Sequence, residues 1–284
     1  MLVIPARWQT VAIDIEVLEK AYFYFDKPVP YKLSDTAHID ITPISVYDSE
    51  VFLSSCEILQ IDKNALNSVE IIQMSYLDFL LKVILPTDQS GLILDKFCNI
   101  LKLCLGMLDW KIKMDEKKKI SILAPDNSFE ITGKQFDDIK RIILYQNVPH
   151  YDDTYIDPDL KKMMGEVDRL KNQGIDVPNL ERRMAIITAH CGVDKQTLMQ
   201  YTMRSLQLLF EECAGEVEFT TLRPIMLYAE KAKELEHWIY KKKKDRLDGY
   251  ITSVESYNKS MGGDGIVKQA NSDMIKQINN IVNQ

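Results

Sequence analysis

Apolar residues recur at spacings of three and four from residue 48 onward. Asp48 or Ser49 opens a stretch carrying Val51, Phe52, Ser55, Cys56 and Leu59. A second stretch carries Ile71, Ile72, Met74, Tyr76, Leu77, Leu80, Leu81 and Ile84 and stops at Pro86, and a third, 91–108, places Leu94, Phe97, Cys98, Leu101 and Leu105 on one face. This period predicts helices, and their stripes can be hidden only against one another, so residues 48–108 are expected to form one helical core. The period then changes to two. Alternation at 110–114, 120–123 and 129–131, separated by the charged run 115–119 and by Pro125, Asp126 and Asn127, predicts a three-stranded meander. Thr132 is the expected N-cap of a helix over 134–145 whose apolar face is Phe136, Ile139, Ile142 and Ile143.

Residues 147–157 break the periodicity, and a domain boundary is expected there. Beyond it, Asp157 with Pro158 starts a helix that runs to Asn172 before Gly174, since proline is accommodated in a first helical turn. Asn179 and Leu180 open another, which Gly192 ends. Asp194 caps a third, expected from Lys195 to about Cys213 with Leu198, Tyr201, Leu206, Leu209 and Phe210 buried. Residues 217–220 allow a short strand, and 222–259 read as helix with an interruption at Gly249. A glycine link at 261–265 precedes an Asn/Gln-rich end. Ahead of residue 48, the prolines at 28 and 30 exclude a helix through that point. Residues 38–44 read as an edge strand, where a proline is tolerated. The expected fold is mainly α. An N-terminal α+β domain, 1–149, contains the helical core 48–108, an antiparallel meander at 109–131 and a helix at 133–146. A helical bundle, 150–260, and a flexible tail, 261–284, follow.

Composition narrows the function classes. The 284 residues are 46% apolar and 27% charged, enough for a real core. No apolar run reaches the ~18 residues of a membrane span; the best, 79–85, contains Lys82. The start MLVIPARWQT lacks a basic leader followed by an apolar stretch, so no signal peptide is expected. The expectation is a soluble protein in a cell interior. The five cysteines form no CxxC pair, which argues against a zinc cage and a disulfide framework. Charge is uneven: residues 1–110 hold 8 Lys/Arg against 15 Asp/Glu, 111–221 hold 16 against 19, and 222–284 hold 11 against 8. An acidic front repels a phosphate backbone, so nucleic-acid binding would have to rest on local patches.

Candidate chemistry is sparse. His150, Asp152, Asp153, Asp157 and Asp159 form the densest polar cluster, but an EF-hand glycine and twelfth-position Glu are missing. Capping and solvation account for these acids better than a metal. His190 and Cys191 are adjacent, so on a helix they point about 100° apart and cannot act as base and nucleophile on each other. No phosphate-binding glycine loop is present. We therefore expect no catalytic residues, no metal and no cofactor. Residues 182–206 have helix-turn-helix spacing, with Lys195, Gln196, Gln200 and Arg204 as the side chains that would meet DNA; any two helices joined by a glycine turn share this pattern.

Two stretches carry a resemblance. Residues 41–46 followed by 71–81, and residues 142–149 followed by Tyr151, Asp152, Asp153 and 156–160, together resemble uncharacterised virion-morphogenesis proteins of tailed bacteriophages. The first is distantly similar to the baseplate hub assembly chaperones of contractile-tailed phages. The cysteine pairs of some hub chaperones are missing, so no zinc ribbon is implied, and the charged C-terminal stretch has no counterpart. The resemblance implies a non-enzymatic tail or baseplate assembly factor or chaperone that binds a phage tail or baseplate protein in the host cytoplasm, with the virion as a second location. The alternatives are a helix-turn-helix DNA-binding regulator and a phage-encoded inhibitor of a host or defence protein. The docking face is expected on an amphipathic helix over 226–254, with Tyr250, Ile251 and Val254 meeting the partner. Lys241 and Lys244 would steer an acidic partner surface.

Overall fold

A computed structural model describes residues 13–66, 68–174, 176–231, 235, 237–240 and 250. The fold is mainly α, with small antiparallel sheets. Among the described residues no helix is long and apolar enough to cross a membrane. The chain divides into two compact units. The first holds Met1–Pro158 and Asp176–Trp238; the second holds Asp159–Ile175 and Ile239–Gln284.

In the first unit, α1 (Ile15–Ala21) is capped by Asp14 and followed by a 3-10 turn, Phe23–Phe25. Strand β1 (Val29–Lys32) pairs antiparallel with β2 (His38–Ile41), Val29 facing Ile41. Only β2 alternates clearly enough to be read locally, and it buries Ile39 and Ile41. Helix α2 (Ser49–Cys56) packs on α5 (Leu92–Leu105), and α5 lies between two left-handed glycines, Gly91 and Gly106. The segment between them is less regular than the predicted single helix. It forms α3 (Val69–Gln73), then α4 (Tyr76–Phe79), which runs into a π turn at Leu80–Ile84 and a 3-10 turn at Leu85–Thr87.

The meander forms as read: β3 (Lys111–Met114), β4 (Ile120–Leu123) and β5 (Glu130–Thr132), with Ile112 opposite Ile122 and Ile122 opposite Ile131. Thr132 caps α6 (Gly133–Asn147) in a capping box with Gln135, so local hydrogen bonds set that helix start. Beyond the predicted stripe, α6 also buries Leu144, Gln146 and Asn147, because α1, β2, α4 and α10 (Met203–Tyr228) all pack on it. The core is accordingly wider than residues 48–108. It joins Leu18, Phe23, Ile41 and Phe52 to Ile122, Phe136 and Ile143.

Helix α8 (Leu180–Cys191) opens where expected, with Asn179 as its cap, and α9 (Lys195–Gln200) begins at the expected cap, Asp194. Three expectations fail beyond them. The helix predicted over 195–213 breaks at Tyr201 and Thr202, because that backbone bonds across to the chain after β2. Val46 N–H donates to the Tyr201 carbonyl at 2.8 Å, and Met203 N–H donates to the Ile44 carbonyl at 3.0 Å. Thr202 then caps α10, and its hydroxyl donates to Asp26 at 2.6 Å. The strand predicted at 217–220 is helical within α10, where the Thr220 hydroxyl bonds back to the Glu216 carbonyl at 2.8 Å; four residues are too few to tell a period of two from 3.6. The helix predicted from 222 ends at Tyr228. Glu230 turns left-handed (φ 57°) and Lys231 N–H closes onto the Met226 carbonyl at 2.8 Å, a Schellman-type stop.

The boundary expected at 149/150 is crossed by the packing. Val46 is buried with Met184, Ile187, Leu198 and Leu206, so α8, α9 and the start of α10 complete the N-terminal unit. Helix α7 (Pro158–Lys171) starts at the predicted proline, and from Asp159 onward it belongs to the second unit. There Tyr250 donates its hydroxyl to Asp168 at 2.5 Å.

Candidate functional site

A cavity of about 440 Å³ lies within the first unit, walled by α1, the end of α6 with the turn after it, and the start of α10. Each wall follows from local rules. Ile15 and Glu19, four apart, share one face of α1. On α10, Arg204, Gln207, Leu208 and Glu211 recur at helical spacing and line the same cavity. Between them Val148 ends α6 in extended backbone, and His150 (φ 55°) bends the chain so that Pro149 and Tyr151 close one side. Phe23 forms the apolar floor, 3% exposed.

The polar groups around this cavity form two sets. Arg204 pairs with Glu19, and its guanidinium lies 5.8 Å from the centroid of the Phe23 ring. On the other side Arg183 donates to Gln207 Oε1 at 2.8 Å, Gln207 donates to Glu211 at 2.7 Å, and His150 Nε2 lies 2.7 Å from the same Glu211 oxygen. Two enclosed atoms of the wall, Gln146 Oε1 and Arg204 Nε, have no hydrogen-bond partner among the described residues. Gln146 uses its amide N–H₂ on the Lys27 carbonyl at 3.1 Å. The lining carries three glutamates, Glu16, Glu19 and Glu211, beside Arg204 and His150.

The wall is braced from behind. Asp153 accepts from the Arg141 guanidinium and from the Tyr145 hydroxyl, the latter at 2.6 Å, which clamps the turn after α6 onto the helix. Burial pushes the Asp153 carboxyl up, but Arg141 and Tyr145 outweigh it and hold the group below the usual carboxylate range. Deeper in the unit, Lys140 sits 3.5 Å above the Tyr76 ring, and burial pushes its amine down to about 8.

The residues singled out in the sequence are dispersed. Among His150, Asp152, Asp153, Asp157 and Asp159, His150 engages Glu211, Asp153 engages Arg141, and Asp152 accepts the Thr154 N–H at 2.8 Å. Among the described residues no group of three or more His, Cys, Asp or Glu could hold a metal ion. The helix-turn-helix residues do not share one helix. Lys195, Gln196 and Gln200 lie on the six-residue α9, and Lys195 is 3.9 Å from Glu181; Arg204 lies on α10 and is held by Glu19. A recognition helix needs its contacts on one continuous element entering the groove. Of the docking residues, Tyr250 is bonded to Asp168 and lies under Lys171, 4.8 Å from the ring centroid. Ile251, Val254, Lys241 and Lys244 fall outside the described residues. Sequence reading assigned the cavity residues Glu19, Gln207, Leu208 and Glu211 no functional role; the only available signal was the spacing on α10, which equally describes packing. No family model matches the chain, and no curated protein or solved structure matches it.

Proposed function

We propose that the chain is a non-enzymatic binding protein that takes an apolar side chain of a basic partner segment into the cavity between α1, α6 and α10. The observation that carries this reading is the cavity's composition. Ile15, Phe23, Val148 and the half-exposed Leu208 line it together with Glu16, Glu19 and Glu211, whose neighbours are Lys20, Arg204 and His150. Such a site favours an apolar anchor flanked by Lys or Arg, since desolvated burial supplies affinity and the acidic rim raises the association rate.

Support for the biological setting comes from the resemblance of 41–46 with 71–81, and of 142–149 with 151–153 and 156–160. The chain acts as an assembly factor or chaperone for a bacteriophage tail or baseplate protein in the host cytoplasm, and it reaches the virion if it stays with its partner. The test is co-expression with the tail and baseplate proteins of the same genome, followed by co-purification. One of them should be retained by the wild type and lost with Leu208→Arg, which places a cation in the docking volume while the circular-dichroism melt stays unchanged. Retention by that folded variant, or no retention by the wild type, defeats the reading.

A further inference from the structure

We propose that Cys191 and Cys213 form a redox-active dithiol that a hydroperoxide oxidises to an intramolecular disulfide. Their sulfurs lie 3.5 Å apart, Cys191 at the exposed end of α8 and Cys213 buried on α10. The approach is built from both sides. His190 Nε2 lies 3.0 Å from Glu216, three residues beyond Cys213, and so holds the last turn of α8 against α10. Gly192 follows in left-handed backbone, which turns the chain away and leaves Cys191 open to solvent. A disulfide needs about 2.05 Å between sulfurs, so each sulfur has less than ~1 Å to travel. Cys56 and Cys104 are buried in the main core, where solvent oxidants do not reach them.

The two thiols take different roles. Burial, with the Cys191 sulfur beside it, pushes the Cys213 thiol up to about 11, so Cys213 remains protonated at neutral pH. The exposed Cys191 meets the oxidant. Its sulfur attacks the outer oxygen of the hydroperoxide; the O–O bond breaks, the thiol proton passes to the departing oxygen, which leaves as the alcohol, and Cys191 becomes a sulfenic acid. The Cys213 sulfur then attacks the Cys191 sulfur, the S–O bond breaks, and water departs with the Cys213 proton. Two thiols lose two electrons and two protons in total, and the peroxide is reduced to alcohol and water. The new bond ties residue 191 to residue 213 and encloses α9 with the cavity-lining turns of α10, so oxidation stiffens one wall of the cavity.

The experiment treats the full-length reduced protein with hydrogen peroxide and follows intact mass, thiol labelling and melting. The expected result is loss of two hydrogens, alkylation of three of the five cysteines, a cross-linked peptide joining Cys191 to Cys213, and reversal by dithiothreitol. The melting temperature should rise by about 7–13 °C, from closure of a loop of this length in the unfolded chain. Cys213→Ser should stop at a Cys191 sulfenic acid trapped by dimedone, and Cys191→Ser should lose the reaction. Oxygen addition to Cys191 without cross-linking, a disulfide through any other cysteine, a disulfide between two chains, or no change in mass overturns the proposal. None of these outcomes depends on partner binding, so the docking reading stands or falls separately.

Discussion

Asp78 joins the meander to the helical layer, and its removal measures that joint. The side chain lies on α4, and the residue is 6% exposed. It accepts from the Ser75 hydroxyl at 2.8 Å and from the Ile120 N–H, at the start of β4, at 3.1 Å; Lys82 Nζ is 2.5 Å away. Asp78→Ala leaves the buried Ile120 N–H without an acceptor, which costs about 1–3 kcal/mol. It also removes a charge-assisted contact to Lys82. That ammonium is about one third exposed, so water recovers part of the loss. Together these give about 2–4 kcal/mol, roughly 6–12 °C in melting temperature for a loss near 3 kcal/mol in a chain of this size. Asp78→Asn keeps an acceptor for Ile120 and should cost less, about 1–2 kcal/mol, since the ion pair and the acceptor of the Ser75 hydroxyl are lost. The pH dependence has a definite sign. Burial pushes the Asp78 carboxyl up, but Lys82, Ser75 and the Ile120 N–H hold it below the usual carboxylate value. Its stabilisation is therefore present above the unfolded value of about 3.9 and lost as pH falls through the lower folded value. Urea unfolding of wild type and Asp78→Ala at pH 7 and at pH 3 should show a gap that narrows at the lower pH. A cost under about 1 kcal/mol at pH 7, or an equal gap at both, would refute this account.

Gly133→Ala should destabilise by about 1–3 kcal/mol, because a Cβ there would collide with Ser75 Oγ and sit 2.7 Å from Ser75 Cβ; the loss should shrink in a Ser75→Gly background, measured by thermal melts. Asn147→Ala should cost about 1–3 kcal/mol and speed hydrogen exchange at Ile44, whose N–H donates to Asn147 Oδ1 at 2.7 Å in a buried position. The Lys140 amine is pushed down to about 8 by burial, so between pH 8 and about 10.4 the unfolded chain binds more protons there. The stability difference, wild type minus Lys140→Met, should therefore rise across that window in urea titrations, and a flat difference would show that burial does not perturb the amine.

What could be read along the chain was set by bonds between near neighbours. The cap at Thr132, the helix starts at Asn179 and Asp194 and the left-handed stop at Gly192 each involve residues a few positions apart, and their residue types announce them; the stop at Gly106 was read through, since the apolar spacing continues to Leu108. The meander was equally legible, because alternation over 110–131 leaves a sheet as the only way to hide Ile122 and Ile131 together. The cavity was not legible: its walls come from residues 15–23, 145–151 and 204–211, and nothing local marks them as neighbours. The same holds for Cys191 and Cys213, whose sulfurs meet only because α8 packs on α10. Residues 195–213 show the division most clearly. Their apolar spacing is compatible with one continuous helix, and an isolated peptide has no reason to break it. The break at Tyr201 and Thr202 exists because extended backbone there satisfies Val46 N–H and the Ile44 carbonyl, while the Thr202 hydroxyl reaches Asp26. Local periodicity thus placed Phe52, Phe97, Leu101 and Ile139 in the core, though Val51, Ile72 and Leu94 on the same stripes are exposed; at Tyr201 and Thr202 tertiary hydrogen bonds decided where a helix stops, because buried main-chain groups must find partners wherever the fold brings them.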